Sequence, residues 1–152
     1  MNIFVISNEP IRCAKMLDDK RVVKMILESA QLLSNAITYH GGIGPYRVSH
    51  KEHPCSIWAR STQGNYMWLF GLYVALLFEY TARFKKVHKC YELLPELADG
   101  HKLIPVDNRT PFVNCTPYKE LDVFKAYRLT LRDKWKNDKR KPRWYKKEAQ
   151  HA

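Results

Sequence analysis

Residues 19–39 constrain the fold more than any other stretch. The run DKRVVKMILESAQLLSNAITY contains neither Gly nor Pro. Asp18 or Asp19 at its start is the candidate N-cap, and Gly41, Gly42, Gly44 and Pro45 stop it. At about 100° per residue, Arg21, Lys24, Glu28, Gln31 and Asn35 fall within an arc of roughly 80°, with Lys20 just outside it. Val22, Val23, Met25, Ile26, Leu27, Ala30, Leu32, Leu33, Ala36 and Ile37 take most of the remaining circumference. A helix with so narrow a polar stripe must be covered on most sides, and its charged line must face a cleft or a partner helix.

The elements available to cover it also read as helical. Cys55 to Lys86 forms a second long pattern, with Pro54 in its first turn and an interruption near Gly64. Its apolar middle, Met67 to Phe78, is too short for a bilayer and reads as a buried core helix. Trp58, Tyr66, Trp68, Phe70, Tyr73, Phe78, Tyr80 and Phe84 recur at helical spacing and belong to that core, with Trp58 as one candidate wall of a base pocket. Pro95, Gly100, Pro105 and Pro111 allow only a short turn, at Tyr91 to Leu97. A last helix is expected to start with Thr116 as cap and Pro117 in its first turn, burying Leu121, Phe124, Tyr127, Leu131 and Trp135. Asn2 to Ile6 is extended or a brief strand, and Ser7 to Pro10 is a turn. The expected fold is all-α: a single compact domain over residues 1–152, about three main helices, a short extended N-terminal segment, and a basic aromatic tail over 136–152.

Charge sets the class of partner. The chain has 152 residues, 26 Lys and Arg against 15 Asp and Glu, a net +11, and 45% hydrophobic residues. The apolar content excludes a disordered polyelectrolyte. The cationic excess favours polyanions, nucleic acid ahead of an acidic protein or membrane surface, through phosphate neutralisation and counterion release. Four scattered cysteines without a CxxC pair, and no signal-peptide pattern, lead to the expectation of reduced thiols and a cytoplasmic setting, host cytoplasm for a virus-encoded chain.

Three clusters can carry chemistry. On the first helix, Glu28 lies one turn after Lys24. A partly desolvated carboxylate beside cations can act as acid, base or stabiliser of a cationic transition state, or it can be an ordinary salt-bridged face. The second cluster, His50-Lys51-Glu52-His53-Pro54-Cys55, precedes a helix N-terminus suited to a phosphate, with Arg60 following; a plain capped loop is the alternative. Zinc on His50, His53 and Cys55 fits no recognised spacing and lacks an evident fourth ligand. In the tail, Lys136, Lys139, Arg140, Arg143, Trp144, Tyr145 and Lys146 interleave cations with aromatics, the recipe for phosphate contact plus stacking. Alternatively, Trp144 and Tyr145 pack back on the core.

In order along the chain, the apolar start, the acidic residue before Lys20-Arg21, Glu28 seven residues after Arg21, the aromatic central helix ending near Arg83 to Lys86, and Arg140-Lys141-Pro142-Arg143-Trp144-Tyr145-Lys146 resemble the phage-type pyrimidine-dimer DNA glycosylases with AP-lyase activity (endonuclease V type). The resemblance implies an all-α domain and an N-terminal α-amine that attacks deoxyribose C1′, releases the base and forms a Schiff base permitting strand cleavage. Glu28 would stabilise the positive charge developing on the sugar, while Arg21 and Lys24 would hold phosphates or an extrahelical nucleotide. The family has Thr at the second position. Here Asn2 stands there, a bulkier residue that leaves Met1 as the expected bearer of the amine. The residue before Glu28 is Leu27 and the third after it is Gln31, where the family has basic residues, so another damaged or modified base is as acceptable a substrate as a dimer. No cofactor or metal is implied, and the expected partner is double-stranded DNA bound by a monomer. The competing readings are a non-catalytic nucleic-acid-binding or regulatory protein, and another nucleotide- or phosphate-processing enzyme using Lys20, Lys24, Glu28 and His53.

Overall fold

The long amphipathic segment forms one helix with the bounds its sequence suggests. In a computed structural model that describes residues 2–145, the α-helices are α1 (Pro10–Met16), α2 (Asp19–Tyr39), α3 (Pro54–Ser61), α4 (Gln63–Phe84), α5 (Leu94–Asp99) and α6 (Val123–Asn137). Two 3₁₀ turns, Lys89–Leu93 and Gly100–Leu103, flank α5, and no strand occurs among the described residues. Helix α2 packs along α4, α1 lies on α4, and α3 touches both long helices. Val22, Ile26 and Leu33 of α2 meet Leu69, Tyr73 and Leu76 of α4 in one core. No described helix is long and apolar enough to cross a membrane.

The N-terminal segment is buried but is not a strand. Ile3, Phe4, Val5 and Ile6 are all within the core. The Phe4 N–H donates to Asn2 Oδ1 at 2.9 Å, the Ile6 N–H donates to the Phe4 carbonyl at 2.9 Å, and Phe4 has φ 45°. A left-handed residue costs about 1–2 kcal/mol. Burying a Phe side chain contributes about 1.5–3 kcal/mol. Packing of this ring therefore outweighs the strain.

Local capping decides the boundaries that periodicity misplaces. The second long pattern breaks at Thr62 rather than at Gly64, because Thr62 Oγ1 accepts from the Asn65 N–H at 3.0 Å and starts α4 afresh. Gly64 lies inside α4 for another reason. The chain at 105–109 comes so close that an added Cβ would stand 2.3 Å from Arg109 N. That approach lets the Pro105 and Asp107 carbonyls accept from the N–H groups of Gln63 and Gly64.

Helix α6 begins at Val123, not after Thr116. Asp122 caps it through the Lys125 N–H, whereas Thr116 bonds to Asn114 and Tyr118 in a local turn. Tyr127 and Leu131 of the expected stripe are buried; Phe124 and Trp135 are partly so, and Leu121 precedes the helix. Two further elements depart from the sequence reading. Residues 10–16 form α1, and the turn expected at 91–97 is a 3₁₀ turn followed by α5.

Candidate functional site

Glu28 lies where the polar stripe of α2 meets a groove. Its side chain is 15% exposed, and Lys24 Nζ sits 3.8 Å from its Oε2. The groove has a volume of about 680 Å³, enough for a nucleotide-sized group. Val23, Leu27, Tyr46, His88, Lys89 and Cys90 form most of its wall. Tyr46 Oη and Cys90 Sγ are 3.4 Å apart, and burial pushes the Tyr46 hydroxyl far above its usual range, so it stays protonated. Burial also lowers the His88 pKa, which favours the neutral ring. Two carboxylates (Glu28 and Glu92), two lysines, a neutral phenol and a neutral imidazole therefore share a largely apolar wall.

The rest of the stripe divides by task. Arg21 is buried and forms a two-pronged pair with Asp138 at 2.8 and 3.2 Å, and a contact to Asp18 at 3.2 Å. Its guanidinium ties α2 to the end of α6. Lys20 and Lys24 remain exposed, and Gln31 is half-buried. Asn35 is buried, donating to the Ser49 carbonyl at 2.6 Å and to Ser56 Oγ at 3.4 Å. It thereby holds the loop before α3 and the start of α3 against α2.

That loop leaves His50 and Lys51 exposed. His53 Nδ1 accepts from the Cys55 N–H at 3.1 Å and caps α3. Arg60 is buried, lies 4.0 Å over the Tyr39 ring and donates to the Lys51 carbonyl, so it braces the loop from within. Trp58 is core: it is 6% exposed, donates to the Pro111 carbonyl and packs on Trp68 and Phe112.

The tail folds back, with Trp144 half-buried, Tyr145 still exposed and its cations at the rim. Trp144 donates to the Met16 carbonyl at 3.1 Å and meets Trp135 edge-on; Tyr145 stacks on Phe84. The Arg143 carbonyl accepts from the Asp19 N–H. Lys20, Arg140, Lys141 and Arg143 surround a depression of about 590 Å³ with Asp18, Asp19 and Asp138 among its lining residues. Lys136 and Lys139 are exposed nearby in the sequence. Met1 and Lys146 lie outside the described residues.

The N-terminal segment runs past α3. The Ile3 backbone hydrogen-bonds the Cys55 thiol, and Asn2 is half-buried. Sequence reasoning missed Cys115, whose Sγ is 3.5 Å from that of Cys55. The hydrogen bond from Cys55 lowers the Cys115 pKa to about 6, and the same bond raises that of Cys55. Nothing local to residues 113–117 signals this pairing, because the partner is 60 residues away. Tyr46, His88 and Cys90 were missed in the Glu28 groove for the same reason.

A sequence model of the family described as pyrimidine dimer DNA glycosylase matches residues 1–92. The match takes in α1 to α4 and all but one of the residues lining the Glu28 groove. No curated protein and no solved structure matches the chain.

Proposed function

The chain belongs to the pyrimidine dimer DNA glycosylase family, and from that premise we propose that it excises a damaged pyrimidine from double-stranded DNA through an imine formed by its N-terminal amine, with Glu28 as the assisting carboxylate. The family is one of DNA glycosylases, so the partner is DNA. The amine lone pair forms a bond to deoxyribose C1′ while the C1′–N bond breaks and the base leaves with its electron pair. Loss of a proton and opening of the sugar yield the Schiff base, from which strand cleavage follows. An α-amine suits this step because its ordinary pKa, about 7.7–8.0, leaves a useful neutral fraction at physiological pH; a lysine needs a large downward shift to match it.

One observation carries the reading. The Glu28 carboxylate is largely desolvated at the edge of a nucleotide-sized groove, beside Lys24 and on the α2 face that also carries Asn35. Asn35 holds Ser56 of α3, and the neighbouring Cys55 holds the Ile3 backbone. The segment that begins at Asn2 thus runs past α3, which Asn35 ties to α2 about two turns from Glu28, and the proposed mechanism needs the amine to reach that carboxylate. In that position a carboxylate stabilises positive charge developing on the sugar and relays its protons. Lys24 and Lys89 offer phosphate contacts at the groove, and the target nucleotide must leave the stack to reach it. Lys20, Lys139, Arg140 and Arg143 offer a second line of phosphate contacts.

Glu28→Gln tests the assignment. We expect base release to fall at least about 100-fold, with affinity for lesion-bearing duplex changed little, measured by single-turnover release and by equilibrium binding. Turnover equal to that of the unaltered chain removes Glu28 from the mechanism.

A further inference from the structure

Three soft ligands from two distant parts of the chain converge beside the start of α3. A ring nitrogen of His53, Cys55 Sγ and Cys115 Sγ all lie within 4.8 Å of one another. The two sulfurs are 3.5 Å apart. A disulfide requires about 2.05 Å. Two thiolates on one tetrahedral zinc, each about 2.3 Å from the metal, stand about 3.8 Å apart. The observed spacing excludes a disulfide, suits the thiol–thiolate hydrogen bond, and falls only about 0.3 Å short of a shared-metal pair. Cys55 is buried in the first turn of α3, while His53 and Cys115 are half-exposed.

We propose that His53, Cys55 and Cys115 form a binding site for a soft divalent cation of the Zn²⁺ type, with one coordination position left for solvent. Each element that presents a ligand is held independently. Asn35 fixes the 49–56 segment, and the Tyr127 hydroxyl accepts from the Cys115 N–H at 3.3 Å while donating to the Val113 carbonyl at 3.0 Å. The largest separation, 4.8 Å, exceeds that of a closed tetrahedron by about 1 Å, which rotation of the His53 side chain can supply. Ligation exchanges the ring's cap bond to the Cys55 N–H for a metal bond. The thiol protons that the Cys55–Cys115 pair still holds leave on binding, and no redox step is involved. Because Cys115 lies beyond residue 92, the site would join the family-matched part of the chain to the segment before α6. The glycosylase reading needs no metal, so the two are tested separately, although Cys55 also contacts the N-terminal segment.

The test is anaerobic titration of the reduced, metal-free full chain with Co²⁺. We expect one equivalent to bind with thiolate-to-cobalt charge-transfer absorption and tetrahedral d–d bands, both abolished by equimolar Zn²⁺. Cys115→Ser and His53→Ala are each expected to weaken binding at least about tenfold, while Cys13→Ser, at a buried thiol outside the cluster, leaves the spectrum unchanged. His53→Ala decides the matter if Cys115→Ser fails to fold. Absence of the charge-transfer band from the reduced wild-type chain, or a spectrum that His53→Ala leaves intact, overturns the site.

Discussion

Arg83 shows how a single cation organises this molecule. It heads the largest side chains that solvent does not reach among the described residues. Its Nε donates to Glu79 Oε1 and its Nη1 to Asp19 Oδ1, both at 3.0 Å, and its Nη2 donates to the Lys15 carbonyl at 3.2 Å. One guanidinium thus links α4, the start of α2 and the open carbonyls at the end of α1. Asp19 also accepts from the Tyr145 N–H, which brings the tail into the same network. Removing a buried partner leaves acidic groups without their neutralising cation, a change that typically costs about 3–5 kcal/mol. Arg83→Met is expected to lower unfolding stability by that order, read from urea denaturation. A loss under about 1 kcal/mol would show that the network carries little net energy. Sequence pattern placed Arg83 at the end of an aromatic helix but gave no sign of burial, because its partners outside α4 come from two distant segments, α1 and the start of α2.

At the scale of elements, histidine takes the capping role usually filled by Ser, Thr, Asp or Asn. His88 Nδ1 accepts from the Cys90 N–H at 3.0 Å at the head of the 3₁₀ turn, as His53 does at α3. Only a neutral ring has the lone pair to accept. Burial lowers the His88 pKa from its ordinary 6.5, so the unfolded chain binds this proton more readily than the folded one. The contribution is complete above about pH 6.5 and is lost as pH falls toward the lower folded value. Thermal stability is expected to drop on acidification from pH 7.5 to 5.5, and His88→Asn, which keeps an acceptor without a titrating ring, should flatten part of that slope. An unchanged slope would remove His88 from the pH dependence. The same capping logic explains which boundaries were legible. Asp18 and the Gly41-Gly42 pair bracket α2 in the sequence itself, although the Asp18 side chain makes no cap bond and accepts from Arg21 and Trp135 instead. Thr62 and Asp122 start α4 and α6 inside stretches whose apolar spacing or nearby Thr-Pro pointed elsewhere, so periodicity alone ran past one start and anticipated the other.

Across the whole molecule, the all-α architecture and the Glu28-centred stripe were readable because a narrow polar arc on a long helix leaves few ways to bury the rest. The division of the cations was not. Arg21 and Arg60 look like Lys20 and Lys51 in sequence, yet the structure commits both arginines to internal bonds and leaves the lysines outside. Trp144 is likewise partly covered, while Tyr145 stacks on Phe84 but stays exposed, as do Lys139, Arg140 and Arg143. The resulting arrangement has exposed cations at both the Glu28 groove and the α2–tail depression, with α2 common to the two. The most direct test of the amine-and-Glu28 account is borohydride trapping on duplex DNA carrying an abasic site or a pyrimidine dimer. The account predicts a covalent protein–DNA adduct whose linkage maps to the Met1-containing peptide and disappears when the N-terminus is acetylated. An adduct that survives acetylation, or tight binding with no adduct on either substrate, would contradict it.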